Sequence, residues 1–104
     1  MTLDEKLLDR YASDRSDAAF AAIVRRYHGF VYSVCCRTLG DAELAEDVTQ
    51  AVFMLLASKA ASLRRGTPLS GWLFNTARFA CRNARRTEQR RVHYEQKRPL
   101  PWKL

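Results

Sequence analysis

The sequence has few of the residues that interrupt helices or build catalytic and metal centres. Its 104 residues include four glycines, three prolines and two histidines. Scarce glycine and proline favour long ordered elements, and no alternating strand pattern is visible. Cys35, Cys36 and Cys81 form no CxxC spacing, so neither a redox motif nor a zinc site is indicated. We interpret them as small buried apolar side chains and expect no cofactor and no metal.

Long apolar runs and a basic, apolar leader are missing as well. No stretch approaches the roughly 18–20 apolar residues of a membrane span, and the first five residues are acidic in character, unlike a signal peptide. These absences predict a cytoplasmic protein without a membrane span, in one domain with a modest core. There is no Ser/His/Asp or Cys/His set and no phosphate-binding glycine loop, so we do not expect an enzyme.

Apolar residues recur at three- and four-residue steps in four segments, which predicts an all-α fold, a compact bundle of three to four helices. The predicted helices span residues 3–12, 18–39, 42–61 and 71–94. Thr2 with Glu5 fits a capping box, Gly40 a helix stop, and Asp41 and Ser70 are predicted N-caps. The residues predicted to face inward are Leu3, Leu7, Leu8, Tyr11, Phe20, Ile23, Val24, Tyr27, Val31, Val34, Cys35, Leu44, Val48, Val52, Leu55, Leu56, Trp72, Leu73, Thr76, Ala77 and Ala80.

Acidic side chains become scarce after residue 63. Residues 64–104 carry eleven Lys+Arg against two Asp+Glu, a net charge of +9, whereas residues 1–63 carry seven against nine, a net charge of −2. The basic part contains six arginines at three- and four-residue steps, most of which share one side of a helix: Arg78, Arg82, Arg85, Arg86, Arg90 and Arg91. Because an unpaired arginine row repels itself, it indicates a polyanionic partner, with nucleic acid as the first candidate.

Two segments carry a family resemblance. Residues 41–53 read DAELAEDVTQAVF, and after a short loop residues 71–78 read GWLFNTAR, followed by the arginine row. In this order and spacing they resemble region 2 of the bacterial sigma-70 family, in its compact extracytoplasmic-function (ECF) group. The resemblance covers about residues 5–95. It implies an all-helical binding module that joins core RNA polymerase and directs it to promoters, with an anti-sigma factor as a further partner that such proteins can have.

The acidic third helix is, by this resemblance, the element that docks on the clamp coiled coil of the polymerase. Carboxylates there would pair with arginines, and Phe53 would pack at the edge of the contact or belong to the core. The alternative is a solvated acidic helix face. The residues expected at the polymerase contact are Glu43, Glu46, Asp47, Gln50, Phe53 and Met54.

The loop before the fourth helix, and that helix itself, are the expected binding site for the non-template strand of the −10 element. Loop residues would hold melted bases, Asn75 and Arg78 would contact base edges of the upstream duplex, and Arg82, Arg85 and Arg86 would contact phosphates. Trp72 is interpreted as core, whereas Phe74 and Phe79 stay open between core and stacking. The residues expected to bind DNA are Arg64, Arg65, Thr67, Ser70, Asn75, Arg78, Phe79, Arg82, Arg85 and Arg86.

Two differences from the family pattern and two alternative functions accompany this interpretation. Many relatives carry Glu at the position of Ala51 and Asn at that of Phe79. Family members also carry a second domain for the −35 element, so this is either an excised domain or a protein that lacks −35 recognition. We expect the former, with the domain at residues 1–95 and a linker or tail from 96 to 104. The alternatives are a general nucleic-acid-binding helical module and a protein-interaction domain that uses the acidic helix. A sigma region needs both surfaces, whereas each alternative needs only one.

Overall fold

The computed structural model describes residues 2–63 and 66–97. Helices α1 (Leu3–Asp14), α2 (Asp17–Leu39), α3 (Ala42–Lys59) and α4 (Leu69–Lys97) build the bundle, with a 3₁₀ turn at Ala60–Ser62 after α3. The predicted all-α fold is therefore confirmed. Within the described part of the chain, no helix is both long enough and apolar enough to cross a membrane.

The predicted helix starts rest on side-chain caps that form as expected. The Thr2 hydroxyl accepts from the Glu5 amide at 3.1 Å, and the Glu5 carboxylate accepts from the Thr2 amide at 3.3 Å, which completes the capping box. Asp41 accepts from the Leu44 amide at 3.1 Å and so begins α3. Gly40 ends α2 at φ 67°, a left-handed conformation that favours glycine.

Five helix ends differ from the prediction. Helix α1 ends two residues later, at Asp14, and α2 begins one residue earlier, at Asp17. Helix α4 begins at Leu69, so Ser70 lies in its first turn and is not the N-cap; the first backbone bond runs from the Trp72 amide to the Pro68 carbonyl at 3.1 Å. Helix α3 ends at Lys59 because the chain tightens there into the 3₁₀ turn. Helix α4 continues to Lys97, beyond the predicted end at 94 and past the predicted domain boundary at 95.

The core lies where α2, α3 and α4 meet, and α1 covers one side of α2. Its fully buried large side chains are Ile23, Val31, Val52, Leu56 and Leu73. Burying each such aliphatic side chain contributes roughly 1.5–3 kcal/mol. The buried polar residue Thr49, absent from the predicted inward set, donates its hydroxyl to the Ala45 carbonyl at 2.7 Å, so its burial leaves no unmade bond.

Two residues predicted to face inward are exposed. Leu3 is 53% exposed at the start of α1, where it lines a surface cavity, and Leu55 is 40% exposed on α3. The buried stripe of α3 is centred on Thr49 and Leu56 and includes Phe53. Leu55 precedes the buried Leu56 by one residue, which is a rotation of about 100° around the helix axis. It therefore lies beyond the edge of the stripe that neighbouring helices cover.

The cysteines follow the predicted structural role in two of three cases. Cys35 and Cys81 are fully buried, whereas Cys36 is half-buried, and all three are free thiols. Burial and a hydrogen bond with Cys35 raise the pKa of Cys81 to about 12. Cys81 is therefore a protonated, apolar packing element between α4 and α2 and not a reactive group.

Candidate protein and nucleic-acid interfaces

Five exposed side chains of α3 form one surface, which we call the acidic face: Glu43, Glu46, Asp47, Gln50 and Met54. Glu43, Asp47, Gln50 and Met54 are spaced at steps of three and four residues, and Glu46 lies one turn before Gln50. All five therefore occupy one side of the helix, opposite the buried Val52. Met54 is 72% exposed, which adds an apolar contact at the end of the stripe. The arrangement presents three carboxylates to solvent and suits a basic partner surface.

Phe53, which was expected at the edge of this contact or in the core, belongs to the core. It is 6% exposed, and its ring lies nearly parallel to that of His28, with 6.5 Å between centroids. His28 was not predicted to take part. Its Nε2 atom lies 3.8 Å from a carboxylate oxygen of Glu46, so α2 approaches the acidic face at this point.

Helix α4 presents a second surface, which we call the basic face: Asn75, Arg78, Phe79, Arg82 and Arg86, all exposed. Apart from Arg78 at its edge, these side chains lie opposite the buried Leu73 and Ala77. Phe79 is 56% exposed and stands between Asn75 and Arg82. Trp72, in contrast, is half-buried and packs against the core. An exposed aromatic ring flanked by an amide and arginines can stack on a base while the neighbours bind base edges or phosphate.

The remaining arginines of the predicted row already have protein partners or lie beyond the packed region. Arg85 donates to the Thr38 carbonyl, one of the terminal carbonyls of α2 that lack a partner within their helix. Arg91 pairs with Glu88 at 2.6 Å and Glu95 at 2.8 Å, which lowers the pKa of Glu88. Among the described residues, no carboxylate lies within 4 Å of the arginines of the basic face. Those arginines are therefore the ones available to an external anion.

The loop expected to hold melted bases borders a cavity of about 480 Å³. Thr67 and Ser70 line it, whereas Arg64 and Arg65 lie outside the described residues. The opposite wall comes from the start of α1, which was not predicted. Asp4 in that wall binds Arg26 at 2.9 Å and accepts from the Tyr27 hydroxyl, and burial together with this bond raises the pKa of Tyr27.

One exposed side of α2 was missed entirely by the sequence interpretation. Phe30 is 39% exposed and its ring lies 6.3 Å from that of Phe74 on α4, and Arg37 is exposed two helical turns further along α2. Phe30 interrupts the pattern because it falls off the apolar stripe that contains Val31 and Val34. The sequence does contain a signal for this exposed side: Phe30 is an aromatic residue at helical spacing from Arg26 and Arg37.

One comparison with known proteins gives a family for this chain. The family model described as Sigma-70 region 2 matches residues 23–91, which is more than half of the 104-residue chain. The matched range includes most of α2, all of α3, the loop and most of α4, and so both faces. A search of curated proteins found no match.

In the described residues, no group of three His, Cys, Asp or Glu is placed to hold a metal ion.

Proposed function

Because the chain belongs to the sigma-70 region 2 family, whose members bind RNA polymerase and recognise promoters, we propose that its two faces divide these tasks. The acidic face docks on the clamp coiled coil of core polymerase. The basic face and the loop cavity hold the −10 element. The observation that carries the proposal is the presence of both surfaces on one packed bundle. Helix α3 presents exposed carboxylates, and α4 presents arginines that have no carboxylate within 4 Å among the described residues.

The acidic face docks through Glu43, Glu46, Asp47 and Gln50, with Met54 adding apolar contact. Asp47 lies near the middle of the stripe, and no basic group within the described part of the chain lies within 4 Å of its carboxylate. It is therefore free to accept a bidentate guanidinium from the partner. Phe53 acts from beneath, by fixing the helix, and does not touch the polymerase.

The DNA-binding surface divides into base-reading and phosphate-binding parts. Asn75 and Arg78 contact base edges of the upstream −10 duplex, whereas Arg82 and Arg86 bind phosphates. The loop, through Arg64, Arg65, Thr67 and Ser70, captures a base of the melted non-template strand, and the adjoining cavity gives that base room. Arg85 contributes positive charge while one of its nitrogen atoms donates a hydrogen bond to the Thr38 carbonyl.

The finer assignments are part of the same proposal. We assign the chain to the ECF group, place it in the cytoplasm, treat it as a binding module without catalytic activity, and include an anti-sigma factor among its partners. Residues 1–95 form the region 2 unit. Residues 96–104 begin a linker or tail, although α4 extends two residues into that segment. A general nucleic-acid binder would leave the acidic face without a use, and a protein-interaction domain would leave the basic face without one.

The decisive experiment compares two charge reversals on the surface. Asp47→Arg should reduce capture of core polymerase about tenfold or more, because it places like charges together at the contact. Asp14→Arg is the matched control, since Asp14 is an exposed carboxylate at the end of α1, on a different helix from the acidic face. Both variants should keep the circular dichroism spectrum of the unmodified chain. Equal capture by the two variants would refute docking through α3.

A further inference from the structure

An apolar groove of about 360 Å³ lies between residues 85–96 of α4 and the turn that joins α2 to α3. Its floor is formed by Leu39 at the end of α2, Leu44 near the start of α3 and Val92 of α4. Leu39 and Leu44 are half-buried, whereas Val92 is 39% exposed. None of the three belongs to the acidic or the basic face. An open apolar surface with a polar rim is typical of a place where a further group binds.

The groove exists because the inward side of α4 is longer than the helices that cover it. Buried residues of α4 recur at four-residue steps from Leu73 to Cys81. The same side of the helix continues through Arg85 to Val92. Arg85 donates to the Thr38 carbonyl, one residue before α2 ends, so α2 ends alongside Arg85. Beyond this point the inward side of α4 faces the groove instead of a packed helix.

The chain continues past α4 with a segment that suits the groove. Residues 98–104, which lie outside the described residues, read RPLPWKL. We propose that this segment turns back at the end of α4 and binds in the groove of its own chain, with Trp102 packed on Val92. Leu100, Trp102 and Leu104 alternate with proline or lysine, and burying them in the groove removes apolar surface on both sides from water. This packing is independent of the proposed function, because it concerns contacts within the chain.

The segment starts at the groove and is long enough to fill it. Gln96, one residue before the end of α4, lines the groove. From Gln96 back to Arg85 the groove runs about 17 Å along the helix axis. The two prolines of the segment cannot continue a helix and favour the polyproline conformation, in which its residues span roughly 22 Å. This length allows the chain to reverse direction and to place Trp102 beside Val92.

The charge at the rim favours this segment over a nucleic acid. Asp41 accepts from the Leu44 amide through one carboxylate oxygen, and no basic side chain of the described residues lies within 4 Å of it. The segment carries Lys103 next to its tryptophan and contains no acid, so docking brings an ammonium group to the Asp41 carboxylate. Asp41 and Glu88 outnumber Arg85 among the charged side chains of the rim. A net acidic rim repels the phosphates of a nucleic acid.

Attachment to α4 favours the chain's own segment over that of a second copy. A short flexible tether gives the segment an effective concentration in the millimolar range at the groove. A second copy reaches the groove only at its bulk concentration. A contact that is too weak to hold two chains together is therefore sufficient within one chain.

Trp102 itself reports the docking, since the sequence contains only two tryptophans. In the full chain carrying Trp72→Phe, acrylamide quenching measures the access of solvent to Trp102, relative to free N-acetyltryptophanamide in the same solution. We expect the relative quenching rate to be severalfold lower in buffer than in urea, because the groove shields the indole. Val92→Gln should remove this protection, since it places an amide in the apolar floor. Tyr94→Gln is the matched control and should keep it, because Tyr94 is 69% exposed on the opposite side of α4.

Three outcomes would refute docking within one chain. The first is quenching of Trp102 that is as fast in buffer as in urea. The second is protection that survives Val92→Gln, which would place the tryptophan elsewhere. The third is protection that is lost on dilution, which would mean that a second copy supplies the segment. Circular dichroism should show equal helix content in all variants, and Trp72→Tyr supplies a second background if Trp72→Phe does not fold.

Discussion

The two halves of α4 carry similar net charge and differ in how that charge is held. Residues 69–84, the proximal half, contain two arginines and no acid, a net of +2. Residues 85–97, the distal half, contain five basic and two acidic residues, a net of +3. The proximal half buries Leu69, Leu73, Ala77 and Cys81, whereas no residue of the distal half is buried among residues 85–96.

The difference shows that charge alone does not make a recognition surface. In the distal half, Arg91 is engaged by two glutamates at helical spacing, which stabilises an otherwise solvated helix. In the proximal half, Arg78 and Arg82 face solvent from a backbone fixed by core packing. Recognition needs side chains on rigid elements, so we place sequence-dependent contacts in the proximal half and general electrostatic attraction in the distal half.

The largest expected effect tests the packing difference directly. Leu73→Ala should destabilise the fold by about 2–5 kcal/mol, because it removes a fully buried side chain from the centre of the bundle. Val92→Ala, in the distal half, should change the free energy of unfolding by less than about 0.5 kcal/mol, since Val92 is 39% exposed. Urea denaturation followed by circular dichroism measures both. Similar losses in the two variants would mean that the halves are packed alike.

The next effect concerns the reactivity of the thiols. Ellman's reagent should modify Cys36 readily, while Cys35 and Cys81 should react about a hundredfold or more slowly, because their modification requires the helices to separate. The raised pKa of Cys81, about 12, further lowers its thiolate fraction at neutral pH. All three thiols should react at once in denaturant. Rapid modification of Cys81 in the native protein would show that the proximal half opens easily.

A smaller effect distinguishes the arginines in DNA binding. Arg82→Ala should remove one phosphate contact, weaken all sequences alike and reduce the slope of log K against log salt by about 1. Arg91→Ala should leave the slope nearly unchanged, since Arg91 is already neutralised by Glu88 and Glu95. Titrations at several salt concentrations give both slopes. A larger change for Arg91→Ala would overturn the assignment of anion binding to the proximal half.

The smallest effect is a pH dependence of the distal half. Arg91 holds the pKa of Glu88 below its ordinary value near 4.5. The pair therefore stabilises the helix fully above that value, and the stabilisation is lost as pH falls through the lower, folded-state pKa. Helicity at 222 nm should decline slightly in this acidic range. In Arg91→Ala, the decline in helicity should be smaller, because the Arg91–Glu88 pair is absent. An identical decline in the variant and the unmodified chain would show that the pair does not stabilise the helix.

Much of the fold could be predicted because helix signals are local. Thr2, Gly40 and Asp41 act on amides or carbonyls within four residues, so α1 begins, α2 ends and α3 begins at the predicted residues. The prediction of Ser70 as the N-cap of α4 was wrong for a local reason as well. Pro68 accepts the first bond of α4 from Trp72, and the helix therefore begins one residue before the predicted cap.

The candidate site was predictable only in part, since a periodic pattern identifies a stripe but not what covers it. The sequence placed Asp47 and Gln50 correctly on an exposed side of α3. It predicted Leu55 to face inward, which was wrong, and left Phe53 open between the edge of the contact and the core; both side chains are large and apolar and stand at opposite edges of the stripe. The neighbouring helices cover the edge with Phe53 and leave Leu55 in solvent.

The sequence by itself determined the helices, their caps, the separation of acidic and basic charge, and the family. Tertiary structure alone decided which arginines remain free and which aromatic rings meet. Arg85 reaches Thr38 across 47 positions of the chain, and Phe30 meets Phe74 through the packing of α2 on α4. No local pattern encodes such contacts, because they depend on the angle and register at which two helices pack, and these are set by the whole buried core.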